Sequence, residues 1–218
     1  MEFTALDLVP NALRLQPDAF RTLLSRPDAG LRGALAIVFL AGLSAALGQS
    51  VMLFANRVSP RRFVASLFVQ ALLFVAGFLA WTATVWTTAM LLMDRPAPFT
   101  PAVAAIGLAY APQLLGFLVL TPFLGGPFGV VLSVWTLLAT LVATSVAFDL
   151  TRSETILVAF AGWLVAQALQ RTVGRPLARL GRWVRHRVAG TVLVSIAATS
   201  VDVGRPKPPK ARRRNPWT

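Results

Sequence analysis

FVASLFVQALLFVAGFLAWTATVWTTAMLLM, running from Phe63 to Met93, carries no charged side chain over its whole length. A hydrocarbon core about 30 Å thick needs roughly 20 consecutive apolar residues in a helix. This stretch exceeds that need. Outward from it, PFGVVLSVWTLLATLVATSVAF from Pro127 to Phe148 does the same, and Gly33 to Ala55, Phe99 to Leu120 and Ile156 to Val173 approach or exceed it. The reading is an all-α polytopic transmembrane bundle of five spans over residues 31–173.

Composition agrees: 56% of residues are hydrophobic and 13% charged, with a mean hydropathy of +0.68. One soluble core of 218 residues could not hide that much apolar surface. The net charge of +13 would suggest nucleic acid in a soluble protein, but here the position of the charges matters more than their sum, and no nucleic-acid partner is expected. With no cysteine, a disulfide framework and a thiolate metal site are both excluded. Met1 to Asp28 mixes acids and bases, and the first apolar run is too long for a cleavable signal.

Residues 1–30 form an N-terminal interfacial segment. Pro17 and Asp18 mark a helix start, and Phe20, Leu23 and Leu24 share one face of what should be a short amphipathic helix on the membrane surface. Pro27 to Gly30 then breaks it. Residues 174–203 are a second surface segment, basic and weakly apolar. Arg175, Arg179, Arg182, Arg185 and Arg187 alternate with Leu177, Leu180, Trp183, Val184 and Val188, a pattern suited to anionic lipid headgroups. Val188 to Val203 is short for a sixth span. Residues 204–218, with Arg212, Arg213 and Arg214, form a Lys/Arg/Pro tail that is disordered by composition and suited to lipid or partner contact.

Lipid gives helices no hydrophobic reason to associate, so small residues mark where backbones meet. The third span offers Ala102, Ala105, Ala109, Pro112 and Gly116, and the fourth Gly129, Ser133, Thr136, Thr140, Ala143 and Ala147. These two stripes are read as one seam, which a Leu at Gly129 or Ala109 should force apart. The first span offers Ala41, Ala45 and Gly48, the second Ala76, Ala80, Ala83 and Thr87, the fifth Ala159, Gly162 and Ala166. The Thr face of the fourth span could instead line a polar path, although Ser and Thr can bond their own helix carbonyls.

Ionisable groups at mid-bilayer would signal transport. Asp94, Asp149, Arg152 and Glu154 all fall at span borders. The one histidine, His186, lies in the basic surface segment, so a His-ligated metal or haem has no candidate ligand in the bilayer. No cofactor and no enzyme activity are expected. Gln49, Gln70, Gln113 and Gln167 read as interhelical hydrogen-bonding groups.

At Gly107-Leu-Ala-Tyr110-Ala-Pro112, followed by a Pro/Gly turn and then Trp135 near the middle of the fourth span, the chain resembles the Yip family of Ypt/Rab-interacting membrane proteins. The resemblance covers most of the chain. It implies a short Pro- and Phe-bearing lead followed by five spans, with Gly107, Tyr110 and Pro112 as the signature. Eukaryotic members look like vesicle-trafficking factors that engage prenylated GTPases. Their Asp-Leu-Tyr-Gly-Pro element is absent here, and the short loops look like a prokaryotic member. Physically, Tyr110 beside Pro112 is a kink with a phenol available.

Three functions fit: a non-catalytic scaffold or accessory subunit with a membrane-protein partner, a Yip-like membrane-organising factor, or a transporter or channel. Loop charges place the C-terminus in the cytoplasm of a prokaryotic cell. Arg57, Arg61, Arg62 and everything basic from Arg171 on then share the cytoplasmic face.

Overall fold

A computed structural model describes residues 4–48, 60–93, 98–121 and 123–172. Among these the protein is entirely helical. A 3-10 turn, Ala5–Leu8, leads into α1 (Val9–Leu13), α2 (Pro17–Leu24) and α3 (Pro27–Gly48). After these come α4 (Pro60–Met93), α5 (Phe99–Leu108), a 3-10 helix (Ala111–Leu120), α6 (Gly125–Phe148) and α7 (Arg152–Thr172). Gln49, the candidate sixth span Val188–Val203, and the basic residues Arg175, Arg179, Arg182, Arg185, Arg187, Arg212, Arg213 and Arg214 lie outside the described residues.

The helix boundaries have local causes. Pro17 and Pro27 open α2 and α3, where a missing N–H costs nothing. Asp149 closes α6 in the left-handed region at φ 49°, and the Leu150 N–H returns to the Ser145 carbonyl at 3.0 Å. Asp tolerates this conformation better than most residues. α7 then begins with a reciprocal cap. The Thr151 N–H donates to Glu154 Oε2 at 2.8 Å, and the Glu154 N–H donates back to Thr151 Oγ1 at 3.4 Å.

α3, the Phe63–Met93 part of α4, and α6 are each long and apolar enough to cross a membrane. α5 and the 3-10 helix make a fourth crossing if taken as one span, bent by 42°. α7 does not reach the same standard. Arg152 and Glu154 occupy its first turn, and Gln167, Gln170 and Arg171 interrupt its end.

The bent span is the core of the bundle. Every residue from Ala102 to Ala109 is buried, so α5 is enclosed on all sides beyond its exposed first turn. α3 runs beside it in the same direction, so closely that a Cβ on Gly107 would lie 2.9 Å from the Cβ of Ala34, and one on Gly116 would lie 3.1 Å from the Ala45 nitrogen. α6 runs antiparallel along the other side. α4 and α7 pack on each other outside this trio, with Gly162 of α7 against Val85 of α4.

The packed faces differ in register from the small-residue stripes. α6 turns Leu132, Thr136, Ala139, Thr140 and Ala143 inward, while Ser133 is exposed. Three residues correspond to 300°, which leaves Ser133 about 60° off the Thr136 direction. Gly129 sits where the central span turns away, and a Cβ there would meet only Val119 Cγ2 at 4.0 Å. α4 is rotated by about half a turn from expectation: Ala71, Phe78, Thr82, Val85 and Ala89 are buried, and Ala76, Ala80 and Thr87 are exposed.

The N-terminal lead also departs from a surface helix. Phe20 and Leu23 have no exposed area, and α2 packs on α5 and α6. The apolar face expected to meet headgroups meets protein instead.

Gly107→Leu should therefore destabilise the bundle by about 1–3 kcal/mol, because an added branched chain meets backbone that cannot yield. Gly129→Leu should stay within about 0.5 kcal/mol of wild type, as open-surface changes do. Thermal melting of the two variants in one mild detergent checks the contrast.

Candidate functional site at the break in the central helix

Pro112 has no N–H, so the Leu108 carbonyl loses its normal helical donor and α5 must end. The last turn tightens, with the Tyr110 N–H donating to the Gly107 carbonyl at 3.2 Å and the Gln113 N–H to the Tyr110 carbonyl at 2.9 Å. The chain then continues from Ala111 to Leu120 as a 3-10 helix of 10 residues, well beyond the usual three or four. A 3-10 run this long needs external support, because its hydrogen bonds are poorly aligned.

Three neighbours supply it. Ser44 of α3 donates its hydroxyl to the Leu114 carbonyl at 2.7 Å and accepts the Phe117 N–H at 2.9 Å. Gln113 reaches the other way, its Nε2 donating to Thr136 Oγ1 of α6 at 3.1 Å, while Thr136 donates to its own Leu132 carbonyl at 2.8 Å. Tyr110 fills the angle of the bend between two rings of α4. It meets Phe74 edge-on at a centroid distance of 5.8 Å and Phe78 at 5.1 Å. Those rings explain why α4 turns its aromatic side inward.

Of the residues singled out from sequence, Ala102, Ala105, Ala109, Pro112 and Gly116 are buried in the central span, and Thr136 and Thr140 face it. Gly107 seats Ala34, Tyr110 marks the bend, and Gly129 and Ser133 are not brought to the seam. Thr140 and Thr144 donate to the carbonyls of Thr136 and Thr140, both within 2.8 Å. The Thr face is thus consumed by helix backbone. Sequence reasoning missed Ser44, one serine in a helix of Ala, Gly and Leu with no local signal. It also missed the bond from Trp135 Nε1 to the Leu13 carbonyl at 2.9 Å, which joins positions 122 apart.

Chemically the break is a joint. Its polar groups satisfy one another, and no group of three His, Cys, Asp or Glu able to hold a metal occurs among the described residues. Two grooves lie at the end of the bundle where the lead packs. One of about 330 Å³ is lined by Leu23, Pro27, Pro98 and Pro101, and one of about 430 Å³ by Arg21, Ser25, Ser145 and Asp149. Thr82 of α4 is fully buried, and its hydroxyl has no partner among the described residues. Neither a family model nor a curated protein nor a solved structure matches the chain.

Ser44→Ala removes a donor and an acceptor from backbone groups that water cannot reach, and should cost about 1–3 kcal/mol. Gln113→Leu with Thr136→Val, measured as a double-mutant cycle, should give a coupling of about 0.6 kcal/mol, as membrane-embedded side-chain bonds do. Denaturant unfolding in mixed micelles reads both.

Proposed function

We propose that the protein is a non-catalytic scaffold or accessory subunit of a larger membrane assembly, with α7 as its fifth span. The observation that supports this is the set of small residues left open by the bundle's own packing. Cβ atoms on Gly77 of α4 and Gly126 of α6 would meet nothing within 4 Å, and Ala76, Ala80 and Ser133 are exposed beside them. Close approach of helices is what small residues permit in lipid, so these positions suit a partner's helices. In this reading the C-terminus is cytoplasmic in a prokaryotic cell, and the Arg175 to Arg214 region adds contact with anionic lipid.

A second reading is a transporter or channel, favoured by the bend of 42° in the central span. Broken helices line substrate sites in many transporters. Here Ser44, Gln113 and Thr136 are spent on each other and on backbone, which favours the joint. The Yip-like reading, a membrane-organising factor acting through its lead and basic region, rests on Gly107, Tyr110 and Pro112, with Trp135 and the Pro- and Phe-bearing lead beside them.

Gentle solubilisation followed by mass analysis of what copurifies tests the first reading. A stoichiometric partner is expected with wild type. It should be lost in Gly77→Leu or Gly126→Leu, with the melting temperature of the purified subunit unchanged. A lone protomer in the wild type, in detergent and in native nanodiscs alike, would refute it.

A further inference from the structure

The lead does more than cover the bundle's end. The indole of Trp135 holds the Leu13 carbonyl, and Trp135 lies ten residues from Gly125 and thirteen from Phe148 in the 24-residue α6. At about 1.5 Å per residue, that is roughly 15 Å from one end and 20 Å from the other. Leu13 is therefore held near the middle of a membrane-spanning helix. One further contact agrees with this depth: α1 packs on the 3-10 helix that follows the break, while Ala5, at the hairpin's other end, packs against Gly33 near the start of α3.

The chain then turns back. Leu15 adopts the left-handed region at φ 58°, the Leu15 N–H returns to Ala12 and the Gln16 N–H to Asn11 at 2.9 and 3.1 Å, and α2 climbs until Leu23 meets Gly30 near the start of α3. This is the turn that commonly closes a helix, with leucine where glycine is usual. Residues 5–24 thus form a re-entrant hairpin with its tip at Arg14 to Gln16.

Its inner face is apolar, and its outer face is polar. Asp7, Arg14, Gln16, Asp18 and Arg21 are all exposed, and Arg21 pairs with Asp18 at 2.9 Å with both side chains mostly open. Of these, Arg14 and Gln16 adjoin Leu13, and a charged group and turn backbone at its depth are tolerated only where they line water or are buried in protein. We propose that the flank of the bundle carrying the hairpin's outer face is a water-filled crevice. It enters from the end where α3 begins and reaches the level of the break at Tyr110, and its occupants are water and small hydrophilic ions. This is independent of the scaffold reading.

Because the chain has no cysteine, single thiols report solvent directly. Maleimides attack the thiolate, which forms in water and not in hydrocarbon. Gln16→Cys at the hairpin tip is compared with Leu137→Cys, exposed on α6 two residues from Trp135, in protein reconstituted in liposomes and treated with N-ethylmaleimide. The same comparison is repeated with Ala5→Cys and Gly33→Cys closed as a disulfide, which ties the lead to α3, with the adduct site read by peptide mass. Gln16→Cys should react about 100-fold faster than Leu137→Cys with and without the tie, as thiolate fractions in water and lipid require. Equal, slow reaction at both positions would mean that lipid or protein seals the flank and would overturn the crevice. Fast reaction at position 16 that vanishes in the tied protein would overturn it equally, because the lead would then reach water only by leaving the bundle.

Discussion

The Ser44 hydroxyl, held between the Leu114 carbonyl and the Phe117 N–H, is the contact on which the rest of the bundle depends. Pro112 ends an α-helix within a bent pair that is together long and apolar enough to cross a membrane, and the chain beyond it runs as a 3-10 helix whose own bonds are weak. In water such a segment would be solvated. In lipid each unsatisfied backbone group costs several kcal/mol, so the break persists only because another helix reaches into it. Ser44 can reach because Gly116 and Gly48 let α3 lie almost backbone to backbone with the 3-10 helix; a Cβ on Gly48 would come 2.5 Å from the Gly116 carbonyl oxygen.

The consequences spread outward from that contact. The bend leaves space beside it, and aromatic rings fill space more economically than alanine does. Phe74, Phe78 and Tyr110 take the angle, so α4 presents Phe78 and Val85 to the core and Ala76 and Ala80 to the outside. Just past the bend, α6 comes close enough for Gln113 to reach Thr136. Below it the lead wedges in, held by Trp135. The outward placement of Ala76 and Ala80 of α4 follows from the same choice.

The apolar runs of α3, α4 and α6 were legible as helices long enough to cross a membrane, because length and hydropathy are properties of the segment alone. Pro17 was legible as a helix start for the same reason, whereas Pro27, read only as the break after the lead, opens α3, and the Thr151-x-x-Glu154 spacing carried a cap signal that went unread. The inward face of α4 was not legible. Its alanine stripe and its Phe78, Thr82, Val85 and Ala89 stripe have the same helical period, and only the gap created by a different span decides between them. The seam was half legible: the buried small residues of the central span were found, but their main partner is α3 rather than Gly129 and Ser133 of α6. Ser44 and the Leu13 carbonyl had no signal at all, since each acts on residues far away in sequence. The basic segment from Arg175 to Arg187 and the tail from Arg212 to Arg214 lie outside the described residues.

The central claim, that α3 clamps a broken central span, is tested most directly by disulfide crosslinking in native membranes. The pair Ala45→Cys with Gly116→Cys should close within one chain on mild oxidation, as should Ala34→Cys with Gly107→Cys. Ala109→Cys with Gly129→Cys should stay open. Rapid closure of the 109–129 pair with the two α3 pairs left open would contradict the account, because the central span would then rest on α6 and Ser44 would have nothing to hold.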